Sequence, residues 1–232
     1  MFKKSKIISH RGIHNNKNIY ENTLEAFRIA IEKDYIIELD VRITKDDKIV
    51  VFHDENTKRI TKIDKIVEES TYQELNNQSI IHIPTIEEVL KLVNGKVPLL
   101  IEIKQTNKVG RLEQQLMSLL NNYKGNYAIQ SFNPLVLVWF KKHYPNIFRG
   151  QLSYQYKNKN LPILKKILLK KMIFNIITKP NFISYKYNEL SLKKIKQYQQ
   201  KKILVLGWTV TSKEEFNKYI KHFDNLIVEK FI

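Results

Sequence analysis

Short aliphatic runs alternate with longer amphipathic segments along the chain, and this alternation constrains the fold more than any other feature of the sequence. It is typical of repeated β-α units that build a mainly parallel sheet. The length of 232 residues suits one α/β domain with a (β/α)8 TIM barrel, which we predict across residues 1–232. The predicted strands are 7–10, 36–41, 48–53, 97–103, 127–132, 147–153, 182–186, 203–210 and 226–229, and the predicted helices are 22–33, 85–94, 110–122, 134–143, 161–173, 190–200 and 213–222.

Nine predicted strands are one more than an eight-stranded barrel needs. The link between 36–41 and 48–53 is too short for a crossover helix, which favours an antiparallel hairpin there. Residues 54–83 are polar and poorly periodic. We therefore expect them to form a small cap-like insertion after the third predicted strand, rather than another β-α unit.

The composition excludes several classes of protein. The chain has no cysteine, so disulfides, thiolate zinc sites and cysteine nucleophiles are absent. No apolar run approaches the roughly 20 residues that cross a bilayer. The apolar run at the N-terminus is too short for a secretory signal, so we expect a cytoplasmic protein.

The net charge of +17 is compatible with a nucleic acid, an anionic membrane or an anionic substrate. Only six of the 40 basic residues are arginine, however, and the lysines are scattered. Specific phosphate and base recognition favours the planar guanidinium group. We interpret the charge mainly as a solvated lysine surface and predict no nucleic-acid partner.

Four short strings place ionisable residues at the ends of the most apolar predicted strands. Residues i and i+2 of a strand point to the same side, so Glu38 lies beside Asp40 and Glu102 beside Lys104. If the strands are parallel neighbours in a barrel, these side chains converge at its C-terminal mouth. Burying so many ionisable groups without partners is costly, which indicates a functional site. The strings are Ser9-His10-Arg11-Gly12, Ile37-Glu38-Leu39-Asp40-Val41-Arg42, Val51-Phe52-His53-Asp54 and Leu100-Ile101-Glu102-Ile103-Lys104.

The residue types indicate phosphodiester chemistry. Carboxylates without cysteine favour one Mg²⁺ or Ca²⁺ ion over zinc. Imidazoles carry protons near neutral pH, and basic side chains neutralise a phosphate. Gly12 allows the backbone to approach that phosphate. The candidate site consists of the metal ligands Glu38, Asp40 and Glu102, the phosphate ligands Arg11 and Lys104, and the proton carriers His10 and His53.

These strings, with further landmarks along the chain, resemble the glycerophosphodiester phosphodiesterase family of the phospholipase C-like phosphodiesterase superfamily. The resemblance is dense as far as residue 104 and sparser afterwards. The additional matching strings are Glu21-Asn22-Thr23, Ala26-Phe27, Thr44-Lys45-Asp46, Ile83-Pro84-Thr85-Ile86-Glu87-Glu88-Val89-Leu90, Ser131-Phe132 and Trp208-Thr209-Val210.

The resemblance implies a (β/α)8 barrel that hydrolyses glycerophosphodiesters, its small-molecule substrates, to sn-glycerol 3-phosphate and an alcohol. By position, the three carboxylates would bind the divalent cation, and Arg11 and Lys104 the phosphate. His10 and His53 would be the general acid and base. Trp208 would lie at the mouth, where its ring can pack on the glycerol or the leaving group; filling the barrel core is an equally good interpretation.

Two departures from the family pattern bear on this expectation. Tyr20 stands where proline usually precedes the Glu-Asn-Thr string. Val228-Glu229 replaces the usual Thr-Asp, which predicts a smaller role for the last strand. Both departures spare the residues assigned to metal binding and proton transfer, so we expect activity.

Two alternative functions stay open. One is a lysophospholipase D-like or other phosphodiesterase on the same scaffold. The other, less favoured, is a non-catalytic basic binding module, which would not need two histidines and three carboxylates in this arrangement. The sequence leaves the oligomeric state and the released alcohol undetermined.

Residues 161–177 form the most apolar predicted helix, with Leu164, Ile167, Leu168 and Met172 along one stripe. An outer barrel helix usually packs such a stripe inward and exposes its lysines. We expect that packing here. Weak peripheral association with an anionic membrane is the alternative.

Overall fold

The computed structural model describes residues 6–104, 106 and 108–231. Every predicted strand and every predicted long helix is present, with bounds shifted by a few residues. The strands are β1 (Ile8–His10), β2 (Ile36–Ile43), β3 (Ile49–Val51), β4 (Leu99–Ile103), β5 (Tyr127–Ser131), β6 (Arg149–Ser153), β7 (Phe182–Lys186), β8 (Leu204–Val210) and β9 (Asn225–Val228). The helices are α1 (Leu24–Glu32), α2 (Lys58–Thr61), α3 (Tyr72–Asn76), α4 (Ile86–Val93), α5 (Arg111–Leu120), α6 (Pro134–His143), α7 (Ile163–Lys170), α8 (Asn175–Thr178), α9 (Leu192–Gln200) and α10 (Lys213–Tyr219).

Eight parallel strands close into a barrel in the order β1-β2-β4-β5-β6-β7-β8-β9. Closure occurs at β1, where Ile8 pairs with Ile36 of β2 on one side and with Ile227 of β9 on the other. The ninth strand, β3, pairs antiparallel with β2 outside this barrel. The predicted barrel and hairpin are therefore confirmed, and β3 is the extra strand.

Alternation along the strands separates two apolar layers from the polar mouth. Leu39 and Val41 of β2 belong to the large cluster between the sheet and the helices. Ile36, two residues before Glu38, belongs to the smaller cluster that fills the bottom of the barrel. Since i and i+2 share a side of the strand, Glu38 and Asp40 lie above that apolar floor. The other members of the floor are Ile8, Leu100, Ala128, Phe182, Leu206 and Ile227.

The predicted insertion after the third strand is a small structured segment with its own core. It holds α2, a 3-10 turn at Val67–Glu69 and α3. Ile60, Val67 and Leu75 are buried against Val50 and Phe52. The helices α2 and α3 have at most five residues each, so neither is long enough to show a helical period in the sequence.

The predicted inward packing of the 161–177 helix is wrong for α7. No residue of α7 is buried; Leu164 and Ile167 are exposed, and Met172, just beyond the helix, carries the buried contact. The end of α7 is fixed by the Ser153 hydroxyl, which donates to the Leu169 carbonyl at 2.9 Å. Leu168, the remaining member of the predicted stripe, is half-buried.

No helix in the described residues is long and apolar enough to span a bilayer.

Candidate active site

Strand register brings the predicted acidic residues together at the carboxyl ends of β1, β2 and β4. Asp40 pairs with Glu102, and Glu38 pairs with His10 on the other side of β2. One carboxylate oxygen from each of Glu38, Asp40 and Glu102 lies within 4.8 Å of the others. All three side chains are buried, so they form one acidic cluster in the barrel mouth.

Two cations partly neutralise this cluster. Lys104 Nζ lies 2.8 Å from Asp40 Oδ1 and 2.5 Å from Glu102 Oε1, and Arg11 Nε lies 3.1 Å from Asp40 Oδ2. Although burial opposes ionisation, Lys104 and Arg11 hold the pKa of Asp40 well below its usual range. Burial, together with repulsion from Asp40 and Glu102, raises the pKa of Glu38 well above its usual range. Negative charge therefore exceeds what the two cations compensate.

The cluster suits a hard divalent cation. All three ligands would be carboxylate oxygens, which Mg²⁺ and Ca²⁺ prefer. Beside them, the Gln130 amide donates to Glu38 Oε1 at 3.3 Å, and its own oxygen is buried without a hydrogen-bond partner among the described residues. A cation would relieve the repulsion at Glu38, and the amide oxygen offers one more acceptor of the kind such ions bind.

A strained turn after β1 orients Arg11. Arg11 and Asn22 both adopt positive φ, at 57° and 58°. The Asn22 amide donates to Asp40 Oδ2 at 2.9 Å. Gly12 has φ +79°, and an added Cβ would lie 2.9 Å from the Ala26 backbone. The close approach at Gly12 is thus to α1, whereas the sequence interpretation placed a phosphate there.

Each predicted proton carrier is held by a carboxylate. His10 Nδ1 lies 2.7 Å from Glu229 Oε2, and His53 Nδ1 lies 2.6 Å from Asp54 Oδ1. Burial lowers the pKa of His10 to about 4, although Glu229 opposes this shift. His10 is therefore a neutral imidazole at neutral pH, and engagement of Nδ1 leaves Nε2 of each ring for a substrate.

The contact between His10 and Glu229 corrects the sequence interpretation of the last strand. Glu229 directly follows β9, the barrel neighbour of β1. Its hydrogen bond from His10 lowers the pKa of Glu229. Substitution of the family's usual aspartate therefore preserves a carboxylate beside the histidine, and the strand retains a role.

An ion-pair network joins the insertion to the mouth, and the sequence did not predict it. Glu21 accepts from Arg11 Nη1 and from Arg59 Nη2, both at 2.6 Å. Arg59 Nε donates to Asp54 at 2.6 Å. Burial opposes ionisation of Glu21, but Arg59 and Arg11 lower its pKa to about 2. Glu21 was visible in the Glu-Asn-Thr string, whereas Arg59 lies in a segment without periodicity.

The predicted residues share a cavity of about 100 Å³. Asp40 lies beneath its wall, with no exposed surface. Trp208 lines the cavity and also packs on the apolar floor, a position that is compatible with both interpretations of this residue. The ring of Phe132 meets it edge-on at 5.5 Å. The lining residues are His10, Arg11, Glu38, His53, Glu102, Lys104, Gln130, Phe132, Leu152, Trp208, Thr209 and Ile227.

Comparison with known proteins gives a consistent result. The model of the Glycerophosphoryl diester phosphodiesterase family matches residues 10–229. YhdW of Bacillus subtilis, whose name places it among the glycerophosphodiester phosphodiesterases, is 30% identical over 222 residues, covering 90% of this chain and 87% of the relative.

Solved structures share the fold. A glycerophosphodiester phosphodiesterase from Thermotoga maritima is 27% identical with a TM-score of 0.74, over 96% of this chain and 94% of that one. An Oleispira antarctica phosphodiesterase, solved with the product sn-glycerol-3-phosphate, is 19% identical with a TM-score of 0.78, over 96% of this chain and 92% of that one.

Proposed function

The chain belongs to the glycerophosphoryl diester phosphodiesterase family and is a phosphoric diester hydrolase, and on that premise we propose that it hydrolyses glycerophosphodiesters to sn-glycerol 3-phosphate and an alcohol in a reaction that depends on one divalent cation. One arrangement of side chains carries the proposal. Three buried carboxylates lie within 4.8 Å of one another, and two histidines, each bound to a carboxylate, line the cavity above them.

The cation would be held by Glu38, Asp40 and Glu102 and would be Mg²⁺ or Ca²⁺. The support is the oxygen-only ligand set and the raised pKa of Glu38, which reflects burial and excess negative charge. When bound, the ion supplies positive charge that stabilises the charge developing on the phosphoryl group.

Arg11 and Lys104 would bind the substrate phosphate. Both line the cavity, and both keep N–H groups beyond those that contact carboxylates. Lys104, for example, has three N–H donors and directs two at Asp40 and Glu102. Attraction to Asp40 and Glu102 outweighs burial and raises the pKa of Lys104, so the amine stays charged.

His10 and His53 would share the two proton transfers of the reaction. One imidazole takes the proton from the attacking oxygen as its bond to phosphorus forms. The other gives a proton to the leaving alkoxide as its bond to phosphorus breaks. Glu229 and Asp54 would orient the rings by accepting from Nδ1, which leaves Nε2 of each ring to take or give the transferred proton.

Trp208 would contact the glycerol or the leaving group. Its indole N–H is buried without a hydrogen-bond partner among the described residues, and the ring lines the cavity. A substrate hydroxyl could accept from this N–H, because a buried Trp N–H usually has a partner.

The test is release of the phosphate monoester with and without EDTA: glycerol 3-phosphate from glycerophosphocholine, glycerophosphoethanolamine and glycerophosphoglycerol, and acylated glycerol 3-phosphate from a lysophospholipid. We expect EDTA to abolish turnover and His53→Ala to reduce it at least about 10²-fold, the usual size of a general acid-base contribution. His82→Ala removes an exposed histidine outside the cavity and serves as the matched control.

Turnover that is insensitive to EDTA would remove the cation from the scheme. Preference for the lysophospholipid would favour the lysophospholipase D-like alternative. Retention of full activity by His53→Ala would contradict the assigned proton transfer.

A further inference from the structure

The segment from α7 to α8 exposes a concentration of apolar side chains. Ten large hydrophobic residues are exposed in the described part of the chain, and six of them lie between residues 163 and 177. Ile163 and Ile176 are each 77% exposed. Soluble monomers seldom expose large contiguous apolar patches without a function. We define the α7–α8 face by these residues: Ile163, Leu164, Ile167, Ile173, Ile176 and Ile177.

Exposed lysines accompany the α7–α8 face. Lys165, Lys170, Lys171 and Lys179 are exposed, and none forms an ion pair with another described residue. The charged residues in the surrounding sequence also have a single sign. Between residues 114 and 188 the chain contains twelve lysines and arginines but no aspartate or glutamate. The face is therefore apolar and cationic, with no acidic residue near it in sequence.

We propose that the α7–α8 face docks on the surface of an anionic lipid bilayer. Isoleucine and leucine side chains would enter the boundary between headgroups and acyl chains, while the lysines contact lipid phosphates. A nucleic acid would pair with the lysines but would leave the six apolar side chains without a role. A second copy of the chain would bring two cationic faces together, which is repulsive.

The α7–α8 face extends from the mouth side of β6, where Ser153 donates to the Leu169 carbonyl, to the amino end of that strand. The segment that leads from β6 to α7 starts at the carboxyl end of the strand, where the active-site cavity lies. Tyr154, the first residue of that segment, lies 6.1 Å from Trp208 and 5.8 Å from Phe132 between ring centroids. The α8 end of the face lies at the opposite end of the barrel, where Arg149 Nε, in the first residue of β6, donates to the Thr178 carbonyl at 3.1 Å. Docking would therefore occur through the side of the barrel. The proposal does not depend on the activity proposed above.

The first experiment measures co-sedimentation of the full chain with vesicles of phosphatidylcholine, with or without phosphatidylglycerol. We expect binding to the vesicles that contain phosphatidylglycerol. Raising the salt from about 0.1 M to about 1 M shortens the screening length from about 10 Å to about 3 Å and should weaken binding strongly.

Two double variants separate the apolar and charged contributions. Ile163→Asn with Ile176→Asn, and Lys165→Glu with Lys170→Glu, should each lower the vesicle partition coefficient at least about tenfold. The matched controls are Ile80→Asn with Leu192→Asn, and Lys193→Glu with Lys196→Glu. They change exposed residues of the same kinds elsewhere and should keep most of the binding.

Several outcomes would overturn the proposal. One is the absence of binding to anionic vesicles, and another is an equal loss of vesicle binding in the target and control variants. A third is a loss of vesicle binding in the lysine variant alone, together with binding of the parent to a single-stranded RNA that is tighter than its binding to the vesicles. The last result would identify a general polyanion surface. Hydrolysis of glycerophosphocholine is measured in parallel, so failure of docking and failure of the proposed function are told apart.

Discussion

The two halves of the chain contribute different chemistry to the same cavity. The first half, as far as residue 104, supplies all of the ionisable side chains that line it among the described residues, from His10 to Lys104. The second half supplies an amide, aromatic rings and aliphatic groups, among them Gln130, Phe132 and Trp208. Under the proposed function, the first half would perform the reaction while the second half would shape the pocket for the substrate.

Glu229 is the exception to this division. It follows the last strand, yet it contacts His10 at 2.7 Å. The exception exists because the barrel closes between β9 and β1. Substitutions on either side of this division test whether it is real.

The largest expected effect is in the acidic cluster. Asp40→Asn removes the carboxylate that contacts both Lys104 and Arg11, and we expect kcat/KM to fall by about 10³-fold, the upper range for loss of one electrostatic contact in an active site. Steady-state kinetics with glycerophosphocholine provide the measurement. Glu113→Gln, a buried carboxyl outside the cavity, is the control, and equal losses in the two variants would contradict the assignment.

The second effect concerns stability in the first half. The pKa of Glu21 falls from 4.5 to about 2, which corresponds to about 3 kcal/mol of folding free energy. Because the folded-state pKa is lowered, this contribution is complete above pH 4.5 and is lost as the pH falls toward 2. Urea unfolding should show Glu21→Gln less stable than the parent near neutral pH, with a gap that narrows below pH 4.5.

The exposed Glu25 gives the control for that experiment. Glu25→Gln should change the free energy of unfolding by less than about 0.5 kcal/mol. A gap for Glu21→Gln that does not vary with pH would show that lost packing, and not the ion pairs, explains its destabilisation.

Glu229 gives the third prediction, which tests the exception. Glu229→Gln should lower kcat by about 10- to 100-fold, the usual cost of losing a group that orients a catalytic residue. Because Glu229 raises the pKa of His10, its loss should also move the limb of the pH profile that His10 governs to lower pH. Glu229→Asp should recover part of the activity, and an unmoved limb would indicate a merely structural role.

The smallest effect belongs to the second half. Trp208→Leu should raise KM by about three- to tenfold, with different factors for different alcohol groups, since loss of apolar contact weakens binding modestly. The chain's other tryptophan supplies the control, because Trp139 packs against His143 outside the cavity. A drop in kcat as large as that of Asp40→Asn would erase the distinction between the halves.

Sequence reasoning succeeded where the relevant contacts are local in a strand. Glu38 and Asp40, two residues apart in β2, necessarily share a side. The nine strands could be predicted for the same reason, because aliphatic runs mark buried strands. The missed partners are distant in sequence: Glu229 and His10 are 219 residues apart and meet only through barrel closure. Arg59 lies in an insertion whose sequence shows no helical or strand periodicity.

Amphipathic pattern did not determine which helices pack inward. Ile86, Val89 and Val93 of α4 are buried, whereas no residue of α7 is. The pattern shows only that a helix has an apolar side. Whether that side meets the barrel or the solvent depends on contacts with the rest of the fold, which the sequence of the helix alone does not specify.

The central claim is that three carboxylates of the first half hold one divalent cation, and calorimetric titration with Mg²⁺ and Ca²⁺ tests it most directly. The account predicts one ion per chain for the parent and for Trp208→Leu, and loss of binding in Glu38→Gln, Asp40→Asn and Glu102→Gln. Unchanged binding in these three variants, or no binding by a parent that is active without added metal, would contradict it.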